Sequence, residues 1–265
     1  MNFPVIWALM LRYIFLYTRT WIRLVELVFW PLVDLLVWGF LTRYLHRDAG
    51  EDLPYIAAYL IGAMILWDIL FRAQQAVAIS FLEDVWTNNL VNVFVAPIRR
   101  REFLAATFGI GILRTAVTVA VISVVALLLY DFNVFMLGWS LLPFFANLML
   151  FGWALGMVST ALILRWGQAA EALAWAVPFF IQPVAAVFYP VDVMPAWLQP
   201  VARALPCSHI FEGMRAVVRG DAFPLWELAV AGGLNIFYLA VAGLIYIRIF
   251  DAVKRRGLLT KVVSH

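Results

Sequence analysis

Apolar residues in this chain do not alternate with polar ones; they run on, and polar positions punctuate them. Six runs reach the roughly 18 residues a helix needs to cross a bilayer core. They are Leu24–Leu41, Pro54–Phe71, Phe103–Leu129, Trp139–Leu164, Ala172–Tyr189 and Trp226–Ile249. The pattern predicts an all-α integral membrane protein, one domain over residues 1–265 with six transmembrane helices. A seventh apolar stretch, within residues 1–23, carries Arg12, Arg19 and Arg23 on one stripe opposite Trp7, Ile14 and Trp21. A helix so divided lies in the headgroup plane. A signal peptide would need a basic start and a small-residue cleavage site, and neither is present.

Composition strengthens this reading. Of 265 residues, 65% are apolar and 13% charged, against about half and about a quarter in a soluble domain. One soluble core could not hide that much hydrocarbon, which excludes a secreted module, a disordered chain and a nucleic-acid binder. The net charge of +3 does not reverse this, because the basic residues sit between apolar runs and form no stripe for nucleic acid. With both termini cytoplasmic, thirteen of the nineteen Lys and Arg fall inside; Arg43, Arg47, Arg203, Arg215 and Arg219 fall outside, and Arg114 within the third span. That bias satisfies the positive-inside rule. Cys207 is the only cysteine, so the chain forms no internal disulfide.

Residues 190–224 break the rhythm. Six of the twelve prolines lie from Pro178 to Pro206, and proline removes a backbone donor and interrupts a helix. Apolar residues nevertheless continue through Val193, Trp197, Val201, Ile210 and Phe211. Two arrangements fit: a re-entrant helical hairpin dipping into the outer leaflet, or an amphipathic loop on the outer surface.

The chemistry of an enzyme is missing from the pattern. No Gly-Lys pair exists, so the phosphate-cradling loop of an ATPase has no place; His46, His209 and His265 are scattered, and no Gly-x-Ser-x-Gly elbow occurs. His46 and Glu51 have the spacing of an acyltransferase box, but the residues between them read as a solvated turn. Charges within spans are costly and point to function. Asp34 and Arg114 each lie about eleven residues into a span, roughly 16 Å deep at about 1.5 Å per residue. They either pair, or Asp34 faces an aqueous cavity and Arg114 pairs elsewhere. Asp68 and Arg72 have the spacing of an i,i+4 pair. Trp30, Trp38, Trp67, Trp153 and Trp175 fall inside spans, where aromatic faces pack on lipid or stack on sugars.

The loop after the second span is the richest segment. From Ser80 to Ile98, apolar Leu82, Val85, Trp86, Leu90, Val93 and Phe94 share one helical face, while Glu83, Asp84, Asn88 and Asn89 supply a polar one. Pro97 stops this helix, and Arg99, Arg100 and Arg101 return the chain to the headgroups. Such a helix, held below the membrane, passes force to a partner or binds lipid.

Together these features resemble the type-2 permease subunits of ATP-binding-cassette exporters. The resemblance rests on the basic N-terminal helix, the six spans and Glu83-Asp84-Val85-Trp86 with Val95-Ala96-Pro97-Ile98-Arg99-Arg100-Arg101. More specific is Tyr189-Pro190-Val191-Asp192-Val193-Met194-Pro195-Ala196-Trp197-Leu198, followed by Leu205-Pro206 and Glu212-Gly213-Met214-Arg215. The resemblance implies that residues 80–98 are a coupling helix seated in a separate nucleotide-binding ATPase subunit. Glu83, Asp84, Trp86, Asn88, Asn89, Pro97 and Arg99–Arg101 would then be its contact residues. Residues 190–224 would form outer re-entrant helices through Pro190, Asp192, Pro195, Trp197, Pro206, Glu212 and Arg215. It further implies a permease homodimer in a two-plus-two complex in a bacterial inner membrane. This chain would bear no cofactor, ATP and magnesium residing on the partner. The cargo would be an amphiphilic glycan, glycolipid or drug-like lipid. The rival classes, an ion-coupled secondary transporter and a membrane-embedded enzyme, call for inverted repeats or clustered catalytic residues; neither is evident in the sequence.

Overall fold

The computed structural model describes residues 1–49, 54–87, 89, 93, 96 and 98–255. Among these, nine α-helices and three short 3-10 turns carry nearly all the chain, and no strand occurs. In chain order they are α1 (Phe3–Thr18), α2 (Trp21–Ala49), α3 (Pro54–Trp86), α4 (Arg100–Tyr130) and α5 (Leu141–Trp166). They continue with α6 (Glu171–Ile181), α7 (Gln199–Arg203), α8 (Pro206–Val218) and α9 (Leu225–Arg255). The protein is all-α, with five helices long and apolar enough to cross a membrane.

Those five correspond to the first, second, third, fourth and sixth predicted spans. The fifth, Ala172–Tyr189, is corrected: its helix α6 covers only Glu171–Ile181, and residues 182–189 are turns and bends. Pro183 supplies the reason, since a proline just past Ile181 offers no N–H for another helical turn. The second span also differs. In place of a helix ending near Phe71 and a new one from Ser80, α3 runs 33 residues without a break. That is about 50 Å at 1.5 Å per residue, well beyond the ~30 Å of a hydrocarbon core.

α3 is the central column. Most of it is buried, and it packs along α5, α4 and α2. The α3–α5 contact is built on small residues. A Cβ on Gly152 would stand 2.4 Å from the Ala73 Cβ and 2.7 Å from the Leu70 carbonyl oxygen; on Gly156 it would stand 2.7 Å from the Val77 Cβ. Glycines four apart let two backbones approach closely, the packing device of helices in lipid. Gln74 of α3 donates to Ser159 of α5 at 2.9 Å within the same seam. α9 lies on α5, where the Asn235 amide donates to Asn147 Oδ1 at 2.9 Å and to its carbonyl at 3.0 Å. α2 and α9 stay largely uncovered, with Trp30, Val37 and Phe40 of α2 turned outward.

The N-terminal segment is also shorter than its sequence suggests. α1 ends at Thr18, and Arg23 belongs to the first turn of α2. The basic stripe is therefore divided between two helices, and Arg12 and Arg23 turn toward α3.

Candidate functional site

The two ends of α3 carry two polar assemblies. At its C-terminal end Asp84 is fully buried and takes an ion pair from Arg12 of α1, and the Tyr13 hydroxyl donates to its Oδ2 at 3.3 Å. Glu83, nearly as buried, accepts from Arg23 of α2 at 2.8 Å. Above them the Arg114 guanidinium of α4 sits 3.6 Å from the centroid of the Tyr17 ring. Its Nε and Nη2 are buried without a hydrogen-bond partner among the described residues. Five charged side chains from four helices thus meet at one place, and each buried carboxylate has its own cation, as burial of charge demands.

Protonation follows this geometry. Burial opposes the charge of Arg12, but the bond to Asp84 and its negative charge outweigh that and raise its pKa. Burial, with the Asp84 charge behind it, holds the Tyr13 phenol well above its ordinary range. Tyr17 is raised for the same first reason, partly offset by Arg114.

The expected coupling residues divide accordingly. Glu83 and Asp84 are not the exposed polar face of a separate helix. They lie on the buried side of α3, because their nearest cations come from α1 and α2. Trp86 is partly exposed, and its indole N–H donates to Glu171 at the start of α6 at 3.1 Å. The Asn89 backbone N–H closes on the Asp84 carbonyl at 2.9 Å. Asn88 and Pro97 lie outside the described residues. Arg99 and Arg101 are exposed, and Arg100 pairs with Asp251 of α9. Glu102 seals the start of α4 by accepting from the Arg99 and Asn2 backbone N–H groups at 3.0 and 2.8 Å.

Of the intramembrane charges, Asp68 and Arg72 form the expected i,i+4 pair at 2.9 Å. Asp34 is exposed on α2. Asp34 and Arg114 form no ion pair. They sit on different helices facing different neighbours, and Arg114 is taken up by Tyr17.

The second assembly is at the N-terminal end of α3. Residues 190–224 fold as short helical pieces, with Cys207, Ile210, Phe211 and Met214 of α8 inside the main core. Arg215 is buried, donates to the Ala186 carbonyl at 2.9 Å and bonds the Tyr59 hydroxyl of α3. The Tyr59 hydroxyl in turn donates to the Val187 carbonyl at 2.5 Å. Glu212 accepts from the Val191 N–H at 2.9 Å and from Arg215 Nε at 3.1 Å. Ala186 has a φ of 54°, a left-handed conformation that alanine takes only under constraint, and Arg215 holds its carbonyl. Pro190 and Pro206 open the 3-10 turn and α8. Pro195 begins the turn that leads to α7. Asp192 makes an exposed pair with Arg203 at 3.5 Å, and Trp197 is exposed. Nothing in the local pattern around Tyr59 signals its contact with Arg215, 156 residues away, whereas Gly152 and Gly156 show a small-residue spacing of four.

The described helices thus form a bundle with a polar joint at each end of α3 and with short helical pieces closing one end. The chain belongs to the ABC-2 type transporter family, whose family model matches residues 4–218. It is the membrane permease domain of an ABC transporter, and the family implies a partner ATP-binding subunit. None of the curated proteins compared matches the chain.

Proposed function

We propose that this permease exports an amphiphilic molecule, a glycan, glycolipid or drug-like lipid, driven by ATP hydrolysis on a separate subunit. The carrying observation is the continuity of α3. One unbroken helix joins Tyr59, bonded to Arg215 in the outer segment, to Glu83 and Asp84, which lead directly into residues 88–98. A stiff rod with a polar joint at each end carries a displacement of residues 88–98 to the outer segment. In this reading residues 80–98 seat in the ATPase and residues 190–224 re-enter the outer leaflet. Both termini are cytoplasmic, in a bacterial inner membrane. Two copies pair through α2 and α6, and the outward-facing Trp30, Val37 and Phe40 support that pairing. Asp34, exposed on the same helix, meets the polar part of the cargo.

The test is reconstitution with the ATPase subunit in proteoliposomes. Outward movement of a fluorescent amphiphile should require ATP, and cysteines placed within residues 88–98 should cross-link to the ATPase. Transport by the chain alone under an imposed proton or sodium gradient would instead identify an ion-coupled carrier. ATP hydrolysis by the isolated chain would overturn the division of labour.

A further inference from the structure

One sizeable cavity belongs to neither assembly. It has a volume of about 980 Å³ and opens between the start of α4 and the end of α9. Its rim carries four cationic side chains, Arg99, Arg100, Arg101 and Lys254, against the single carboxylate of Asp251. Arg100 is taken by Asp251, whereas Arg99, Arg101 and Lys254 form no ion pair among the described residues. Glu102 already caps the start of α4, so the groups left to attract an anion here are the side chains of Arg99, Arg101 and Lys254.

Away from the rim the cavity turns apolar, with Leu104 and Phe108 on α4 and Ile247 on α9. Phe108 is held by stacking on Trp153, ring centroids 4.4 Å apart. Gly243 opens the α9 wall, since a Cβ there would meet nothing within 4 Å. Tyr246 also lines the cavity, and its hydroxyl is buried without a hydrogen-bond partner among the described residues.

Cations at the end of two spanning helices, an apolar slot running inward from them and an unpaired hydroxyl between match one kind of molecule. We propose that this cleft binds an anionic phospholipid. Its phosphate lies among Arg99, Arg101 and Lys254, a glycerol or ester oxygen meets the Tyr246 hydroxyl, and an acyl chain lies along Phe108, Gly243 and Ile247. Basic pockets between spanning helices bind such headgroups. The inference rests on α4 and α9 being spans, not on which substrate is moved, so it fails separately from the export reading.

The test uses the purified full chain in detergent, with native mass spectrometry of retained lipid after addition of equal phosphatidylglycerol and phosphatidylcholine. The wild type should retain phosphatidylglycerol preferentially. Arg99→Gln, Arg101→Gln and Lys254→Gln should each weaken that retention about fivefold, equivalent to about 1 kcal/mol per cationic residue. These three side chains are exposed, so the variants should keep the wild-type helix content and elution. Gly243→Leu, which fills the slot and leaves the rim intact, should also lower retention. Equal retention of both lipids by the wild type would overturn the proposal, as would unchanged preference in the combined Gln variant. Loss of ATPase association in that variant, with lipid retention intact, would assign this face to the partner subunit and overturn it equally.

Discussion

Arg114 of α4 stacks on Tyr17 of α1, its guanidinium 3.6 Å from the ring centroid. A desolvated cation over an aromatic face contributes about 2 kcal/mol or more, and here the ring is the closest partner of a buried charge. Arg114→Leu and Tyr17→Leu should therefore each lower the thermal stability of the purified protein. Their combination should cost clearly less than the two losses added, a coupling readable in a double-mutant cycle. The cycle between Arg114→Leu and Asp34→Asn should be additive, since those side chains share no contact. Additivity at 17 and 114 would show that the ring contributes nothing to holding the charge.

The Gly152–Gly156 seam predicts a sharper loss. An added Cβ at Gly152 collides with Ala73 and with the Leu70 carbonyl, and backbone oxygen cannot swing aside. Gly152→Ala and Gly156→Ala should each destabilise the protein by about 1–3 kcal/mol, the usual range for overpacking. Gly233 in α9 is the control, since a Cβ there meets nothing. Gly233→Ala should be neutral or stabilising by up to about 1 kcal/mol, from helix propensity. Thermal unfolding in detergent reads all three. Equal effects at 152 and 233 would mean that α3 and α5 are not closely apposed.

At the opposite end, Arg215 joins α8, α3 and the strained turn at Ala186. Arg215→Leu leaves the partly exposed Glu212 without its cation and the Ala186 carbonyl without its donor, and should cost about 1–3 kcal/mol, the range for polar groups left unsatisfied. Tyr59→Phe removes one hydroxyl and should cost about 0.5–1.5 kcal/mol. Hydrogen exchange should show faster opening of residues 186–215 in Arg215→Leu, with the middle of α5 unchanged. Uniform acceleration along the whole chain would argue against a local joint.

The spans were legible in the sequence because a run of hydrocarbon is a local property, and lipid as solvent demands it. Residues 172–189 were misleading for the same reason. Their apolar composition suits a crossing, while Pro183 and the turns after Ile181 decide that the helix is short. Glu83 and Asp84 were recognised as important but assigned to an exposed face. Their burial depends on Arg23 and Arg12, 60 and 72 residues away in the chain, and no periodicity reports such a pairing. Gly152 and Gly156 stood in plain view at the small-x-x-x-small spacing. The cleft between α4 and α9 was not legible, since it exists only where Gly243 comes to face the slot beside Phe108. The arginines of its rim, Arg99, Arg100 and Arg101, stand next to one another in the sequence, but Lys254 joins them only through the fold.

Cys207 distinguishes a packed segment at residues 190–224 from a loose surface loop. Its side chain is fully buried at the start of α8, and burial pushes the thiol up to about 12. The thiolate is the reactive form, so at pH 8 a maleimide or iodoacetamide should leave the folded protein almost unmodified and label it fully once denatured. Raising the pH to 9 should not rescue labelling, although it would speed the reaction of an exposed thiol severalfold. The folded state holds this proton more tightly than the unfolded chain, whose thiol has an ordinary value near 9.0. The contribution of Cys207 to stability is therefore complete below about pH 9 and is lost as pH rises toward about 12. Cys207→Ala should flatten that part of the stability curve, leaving a cavity cost that does not vary with pH. Rapid labelling of native protein at pH 8 would place residues 190–224 on the surface and remove α8 from the core.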